Sequence, residues 1–150
     1  MLIDDDEPTN FLSSMIIEDL DCAEHVQIAD KGERAVNYLV DSEKFAYDNK
    51  DCPWPDLILL DINMPGMNGW EFLDQYKELE KGRKNVVIIM LTTSLNPDDK
   101  IKADDILSVT DFKYKPLTKE LLNEILDTYF PGFSKINAGD VIKTCKKSLH

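Results

Sequence analysis

The sequence predicts an α/β protein, a five-stranded parallel sheet with helices on both faces. Three observations carry this. Short runs of branched aliphatic residues, Leu57-Ile58-Leu59-Leu60 and Val86-Val87-Ile88-Ile89-Met90-Leu91, do not alternate with polar residues, as expected of strands buried on both faces. The segments between such runs repeat apolar residues at three- and four-residue spacing, the signature of amphipathic helices. The two patterns then alternate along the chain five times, which defines βα units joined by right-handed crossovers.

Taken in order, the first strand is Met1-Leu2-Ile3, ending in Asp4-Asp5-Asp6. It has three residues before its acids, fewer than the five or six of an average strand, which leaves room for further residues upstream. Phe11, Leu12, Met15, Ile16 and Leu20 then form one helical face, expected to pack inward. Val26-Gln27-Ile28 reads as the second strand, with His25 at its start, and Ala35, Val36, Leu39 and Val40 as the second helical stripe. Residues 41–56 are polar and dotted with aromatics, read as an extended helix end plus a surface loop. Leu57–Leu60 is the third strand, and Trp70, Leu73, Tyr76 and Leu79 form the third stripe. Val86–Leu91 is the fourth strand. Asn96-Pro97 supplies a cap and a first-turn proline for a fourth helix running toward Leu107, with Asp98 and Asp99 suited to the positive end of its dipole. Val109 to Tyr114 reads as the fifth strand, and Thr118 caps a fifth helix carrying Leu121, Leu122, Ile125 and Leu126. Residues 131–150 open with Pro131-Gly132 and end among lysines, a tail with room for one short helix.

Composition narrows the function classes. The 150 residues include 17 Lys+Arg against 29 Asp+Glu, a formal net charge of −12. That balance opposes binding to nucleic acid or an anionic membrane. No apolar stretch approaches the roughly 18 residues of a membrane span, and three aspartates directly after Ile3 exclude a signal peptide at this start. Cys22, Cys52 and Cys145 are odd in number and widely spaced, which argues against a disulfide framework or a zinc site and for a reducing cytosol.

In an open parallel sheet, chemistry gathers beyond the carboxyl ends of the strands. There the first strand delivers Asp4-Asp5-Asp6, the third Asp61 with Asn63 two residues on, the fourth Thr92-Thr93, and the fifth Lys115-Pro116. Each has a plain structural role available: the acids can cap the first helix, Asp61 can open a turn, Thr92 can end a strand, and Lys115 can be a solvated charge. Four independent strand ends bringing complementary groups to one edge outweigh those separate explanations. Asp4, Asp5 and Asp61 would set three negative charges together, each pair at ~4 Å costing roughly 4 kcal/mol at an effective dielectric of 20. Lys115 supplies one counter-charge. An all-oxygen ligand set without Cys or His points to Mg²⁺, or Mn²⁺, for two more. A pocket neutralised in this way can receive a phosphoryl group, and a carboxylate is a competent acceptor for it.

The residues resemble the receiver domain of two-component response regulators, the superfamily of the bacterial chemotaxis protein Y. The matching text is Met1–Asp6, Asp56–Gly69 with Asp61 and Met64-Pro65-Gly66 inside it, Met90-Leu91-Thr92-Thr93-Ser94, and Tyr114-Lys115-Pro116-Leu117-Thr118. The resemblance covers about residues 1–130, read as the receiver domain, and leaves 131–150 as a C-terminal tail. The insertion at 41–56 and the Leu-Thr-Thr-Ser text resemble stand-alone regulators related to those paired with phytochrome-type kinases.

The resemblance implies a flavodoxin-like, doubly wound (βα)5 fold with strand order 2-1-3-4-5. It implies that Asp61 is the phosphoacceptor, taking its phosphoryl group from a histidine kinase or His phosphotransfer protein. Asp5, Asp61 and the backbone carbonyl of Asn63 would ligate Mg²⁺, with Asp4 acting through a metal-bound water. Thr92 and Lys115 would contact the phosphoryl group, Phe112 would be the switch aromatic, and Lys115-Pro116 would be cis. Such a domain assists only its own phosphorylation and dephosphorylation. It is expected to be cytoplasmic, a monomer or weak dimer, signalling to a downstream protein through residues 97–130. The third acid, Asp6, leaves open which two acids serve the metal; counting from the strand selects Asp4 and Asp5. Ser108-Val109-Thr110 replaces the family's usual Gly-Ala before the fifth strand.

Three other readings compete with this one. A haloacid-dehalogenase-type phosphatase also uses an Asp nucleophile after a parallel strand, but usually has a second Asp where this chain has Asn63, and carries its metal acids late in the chain. A flavodoxin-like cofactor binder needs a phosphate-cradling loop after the first strand, where Asp4-Asp5-Asp6-Glu7 would repel phosphate. A degenerate receiver would lack motif residues that are all present here. His25 and His150 are not read as phosphohistidines, and Met67 and Trp70 are read as packing or surface residues.

Overall fold

The structure, a computed structural model, describes residues 1–44, 52–81 and 85–133. The expected loop at 45–51 and the tail from 134, with Cys145 and His150, lie outside the described residues. Five strands alternate with five helices: β1 (Leu2–Ile3), α1 (Glu7–Asp19), β2 (Ile28–Ala29), α2 (Gly32–Lys44), β3 (Leu57–Leu60), α3 (Gly69–Leu79), β4 (Val87–Thr92), α4 (Pro97–Asp104), β5 (Asp111–Tyr114) and α5 (Lys119–Tyr129). The strands form one parallel sheet in the order β2-β1-β3-β4-β5. This is the flavodoxin-like doubly wound order expected from the sequence.

The absence of alternation in the aliphatic runs has a direct cause. Ile3, Ile58, Leu60, Ile88, Met90 and Phe112 pack on one face of the sheet, with Ala35 and Leu39 of α2, Phe72, Leu73 and Tyr76 of α3, and Ala103 of α4. Leu2, Leu59, Ile89 and Leu91 pack on the other face with Ile17 of α1 and Leu122, Ile125 and Leu126 of α5. Successive strand residues point to opposite faces, and both faces are covered, so both must be apolar.

The helix starts follow the capping signals. Asn68 caps α3 in a reciprocal capping box with Glu71, Asn96 caps α4 ahead of Pro97, and Thr118 caps α5. Asp6 caps α1, accepting the Thr9 N–H at 2.9 Å. Gly66 sits at φ +78°, the left-handed position that follows Pro65 in a tight turn. Gly69 meets the strand so closely that a Cβ there would lie 2.4 Å from the Asp61 carbonyl oxygen.

Four expectations are corrected. The stripe Phe11, Leu12, Met15 does not face the core: these residues are 63%, 59% and 51% exposed, and α1 buries Asn10, Ser13 and Ile17 instead. The cause is a polar anchor, because the buried Asn10 amide donates to the Asp4 carbonyl at 2.7 Å and sets the rotation of the helix about its axis. The second strand is Ile28–Ala29, so His25 lies in the exposed approach to it, and the fifth begins at Asp111 rather than Val109. The fourth helix stops at Asp104, with Asp105 as its C-cap, short of Leu107.

Candidate functional site

The sheet ladder itself assembles the pocket. The Asp4 amide donates to the Ala29 carbonyl at 3.1 Å, the Asp61 amide to the Ile3 carbonyl at 2.9 Å, and the Lys115 amide to the Thr92 carbonyl at 2.9 Å. These bonds hold the residue just past β1, the residue just past β3, the last residue of β4 and the residue just past β5 along one edge. β1 and β3 are neighbours from which the chain winds in opposite directions, the switch point where such folds bind ligands.

The Lys115 side chain is 10% exposed and reaches back over this edge, its ammonium 2.5 Å from an Asp4 oxygen and 3.1 Å from an Asp61 oxygen. Asp4, Asp61 and Thr92 are buried, whereas Asp5 is exposed. One carboxylate oxygen from each of Asp4, Asp5 and Asp61 falls within 4.8 Å of the others, a donor set suited to a hard divalent cation. Asp6 is engaged elsewhere, as the α1 cap, which explains why three consecutive acids yield only two pocket groups. Asn63 lies in the exposed turn beyond Asp61, and the Lys115-Pro116 peptide is cis, as expected.

The protonation tendencies tell one story. Burial pushes the Asp4 carboxyl above the usual range, and the neighbouring Asp61 adds to this, against the opposing pull of Lys115. Burial alone would lower Lys115, but its bond to Asp4 and the charges of Asp4 and Asp61 outweigh that and hold the ammonium above its ordinary value. Three carboxylates gather around one ammonium here, so the pocket is short of positive charge. A divalent ion would supply that charge without a proton.

Thr92 has no exposed surface, and its Oγ1 accepts the Ser94 amide at 3.2 Å. Phe112 is buried opposite Met90, its ring edge-on to Tyr114 at 5.5 Å between centroids. The edge thus gathers Asp4, Asp5, Asp61, Thr92 and Lys115, while Phe112 lies back along β5, within the sheet. The sequence assigns no role to Asn10, and shows Ser94 only as part of the motif that ends the fourth strand. A polar residue on a helix or in a loop has no periodicity to mark it, and only the packing shows which backbone it serves.

Fold and pocket together define a five-stranded α/β module carrying a cluster of three carboxylates at its switch point. A model of the response regulator receiver domain family matches residues 1–127, and the chain belongs to that family. It is a receiver domain of the two-component type. It is similar to the signal transduction histidine-protein kinase BarA of Shigella flexneri, 30% identical over 130 residues, covering 85% of this chain and 12% of that protein. The chain therefore spans about an eighth of the length of that relative. It is also similar to the crystal structure of a two-component response regulator from Cytophaga hutchinsonii, with 36% identity, a TM-score of 0.69, and 85% and 92% of the two chains covered. The Mn²⁺-bound form of the response regulator Rcp1 is similar at 26% identity and a TM-score of 0.60, covering 86% of this chain and 91% of that one. The family assignment displaces the phosphatase alternative. No helix among the described residues is long and apolar enough to cross a membrane.

Proposed function

We propose that Asp61 accepts a phosphoryl group from a phosphohistidine of a histidine kinase or His phosphotransfer protein, and that the resulting acyl phosphate changes the surface offered to a protein partner. The observation that carries this is the convergence of Asp4, Asp61, Thr92 and Lys115 on one edge, with Lys115 bonded to both acids. An Asp61 carboxylate oxygen attacks phosphorus, the phosphorus–nitrogen bond breaks, and the imidazole leaves with the electron pair and takes a proton. Lys115 exchanges its Asp61 contact for a phosphoryl oxygen, and the Thr92 hydroxyl donates to another.

Asp5, Asp61 and the Asn63 carbonyl are the proposed ligands for Mg²⁺, with Mn²⁺ as a substitute; Asp4 acts through a bound water. Bound there, the ion would neutralise two charges and polarise a phosphoryl oxygen. The Mn²⁺-bound form of Rcp1 supports a divalent site of this kind.

The proposed downstream surface is residues 97–130, with Phe112 as the lever; its ring, expected to turn inward on phosphorylation, already lies buried in this structure. Ile101, Leu107 and Tyr114, all exposed apolar residues, support that choice. A cytoplasmic setting belongs to this reading, on the odd number and wide spacing of the three cysteines in the sequence. The proposed domain spans residues 1–130, a reading supported by the family match over residues 1–127.

The test is incubation with Mg²⁺ and a small acyl-phosphate donor, followed by intact-mass measurement. The wild type is expected to gain one base-labile phosphoryl group and Asp61→Asn none. A phosphoryl group mapping to Asp4, Asp5 or a histidine would refute the assignment.

A further inference from the structure

We propose that Ser94 is a positioning residue, a latch that ties the Thr92 hydroxyl to the first turn of α4. This rests on the proposed phosphorylation of Asp61 and specifies how that event is passed on. The Ser94 amide donates to Thr92 Oγ1 at 3.2 Å. The Ser94 hydroxyl donates to the Asp99 carboxylate, in the first turn of α4, and accepts the Asn96 amide at 3.3 Å. Asn96 is the α4 cap, its side chain accepting the Asp98 amide at 3.1 Å and its carbonyl the Asp99 amide at 3.1 Å. One serine therefore links the hydroxyl at the end of β4 to the cap and the first turn of the helix that follows.

The rest of the attachment of α4 is thin. The helix has eight residues and buries Ala103, with the Lys102 ammonium 4.5 Å from the centroid of the Trp70 ring as a further hold. A helix of two turns is marginal by itself and depends on such contacts. Thr92 Oγ1 serves Ser94 as an acceptor, so its own proton remains available for a phosphoryl oxygen. Turning that oxygen toward a phosphoryl group on Asp61 draws it away from the Ser94 amide, and the loop from Ser94 to Asn96 loses its anchor. The α4 start then has two arrangements, latched and released, and phosphorylation shifts the population between them.

The experiment is amide hydrogen exchange on the full chain, with Mg²⁺, with and without beryllofluoride as the phosphoryl mimic. In the wild type, beryllofluoride is expected to protect residues 61–68 and to speed exchange in 97–104. Ser94→Ala should already exchange about tenfold faster in 97–104 without the mimic, the loss expected for a hydrogen bond to a charged group. The mimic should then add little there while still protecting 61–68. Asp99→Ala, which leaves the Ser94–Thr92 bond intact, should lose the α4 response in the same way, and Ser94→Thr, which keeps the hydroxyl, should restore it. An equal beryllofluoride response at 97–104 in wild type, Ser94→Ala and Asp99→Ala would overturn the latch and leave the proposed function standing. Failure of beryllofluoride to protect 61–68 in the wild type would overturn the proposed function, and the latch with it.

Discussion

Replacing Lys115 by methionine keeps most of the length and apolar stem of the side chain and removes the ammonium that pairs with Asp4 at 2.5 Å and Asp61 at 3.1 Å. At an effective dielectric of about 20 those contacts correspond to gross attractions of about 7 and about 5 kcal/mol. Most of that is offset by the cost of taking three charged groups out of water. The net loss on breaking a buried pair by removing one partner is about 3–5 kcal/mol. The two acids left behind repel each other, so a divalent ion should be worth more to the variant than to the wild type. The assay is urea denaturation at neutral pH, in EDTA and again in millimolar Mg²⁺. In EDTA the variant should lose about 3 kcal/mol with an unchanged slope on denaturant. In Mg²⁺ part of that loss should return, because an ion that binds only the folded state stabilises it by mass action. Stability equal to the wild type in EDTA, or an identical Mg²⁺ increment in both proteins, would refute the reasoning that Lys115 stands in for missing positive charge.

The other predictions use the same physics. Asp5→Ala should abolish the Mg²⁺-dependent rise in melting temperature, whereas Asp6→Ala should keep most of it, because Asp6 is committed to capping α1; thermal melts with and without Mg²⁺ distinguish the two. At the far end of β5, burial acts to raise the Asp111 carboxyl. Hydrogen bonds from the Phe112 amide, the Tyr129 hydroxyl and Lys113 outweigh that and hold it below the usual range. A carboxyl lowered in the folded state contributes stability above its unfolded pKa of about 4, and loses it as pH falls through the folded value. Asp111→Asn should therefore cost about 1 kcal/mol at neutral pH, a figure kept small by partial exposure, and the gap should close below about pH 4 in paired urea titrations.

Local chemistry was enough to read much of this protein. Short, branched aliphatic runs without alternation, bounded by prolines and polar turns, read as strands covered on both faces, and the caps Asn96 and Thr118 with Pro97 mark helix starts because they act within one turn. The acids, threonine and lysine at the strand ends are legible for a related reason: a parallel sheet sends every strand end to the same edge, so sequence order implies spatial gathering. The rotation of α1 was not legible. Its most apolar stripe, Phe11, Leu12 and Met15, faces outward, because the bond from Asn10 to the Asp4 carbonyl, formed only once strand and helix have docked, overrides the hydrophobic pattern. Nor could three consecutive aspartates be divided by reading alone. Asp4 turns inward to Lys115, Asp5 stays exposed beside Asp61, and Asp6 turns to the helix, each direction set by where the backbone leaves the sheet. The sequence by itself determined which groups meet at the edge, because the residue that ends each strand is a local property and a parallel sheet sends all strand ends to one side. Only the tertiary structure decided which way each side chain points and that Ser94 joins Thr92 to α4, because those bonds join partners whose positions no spacing rule encodes.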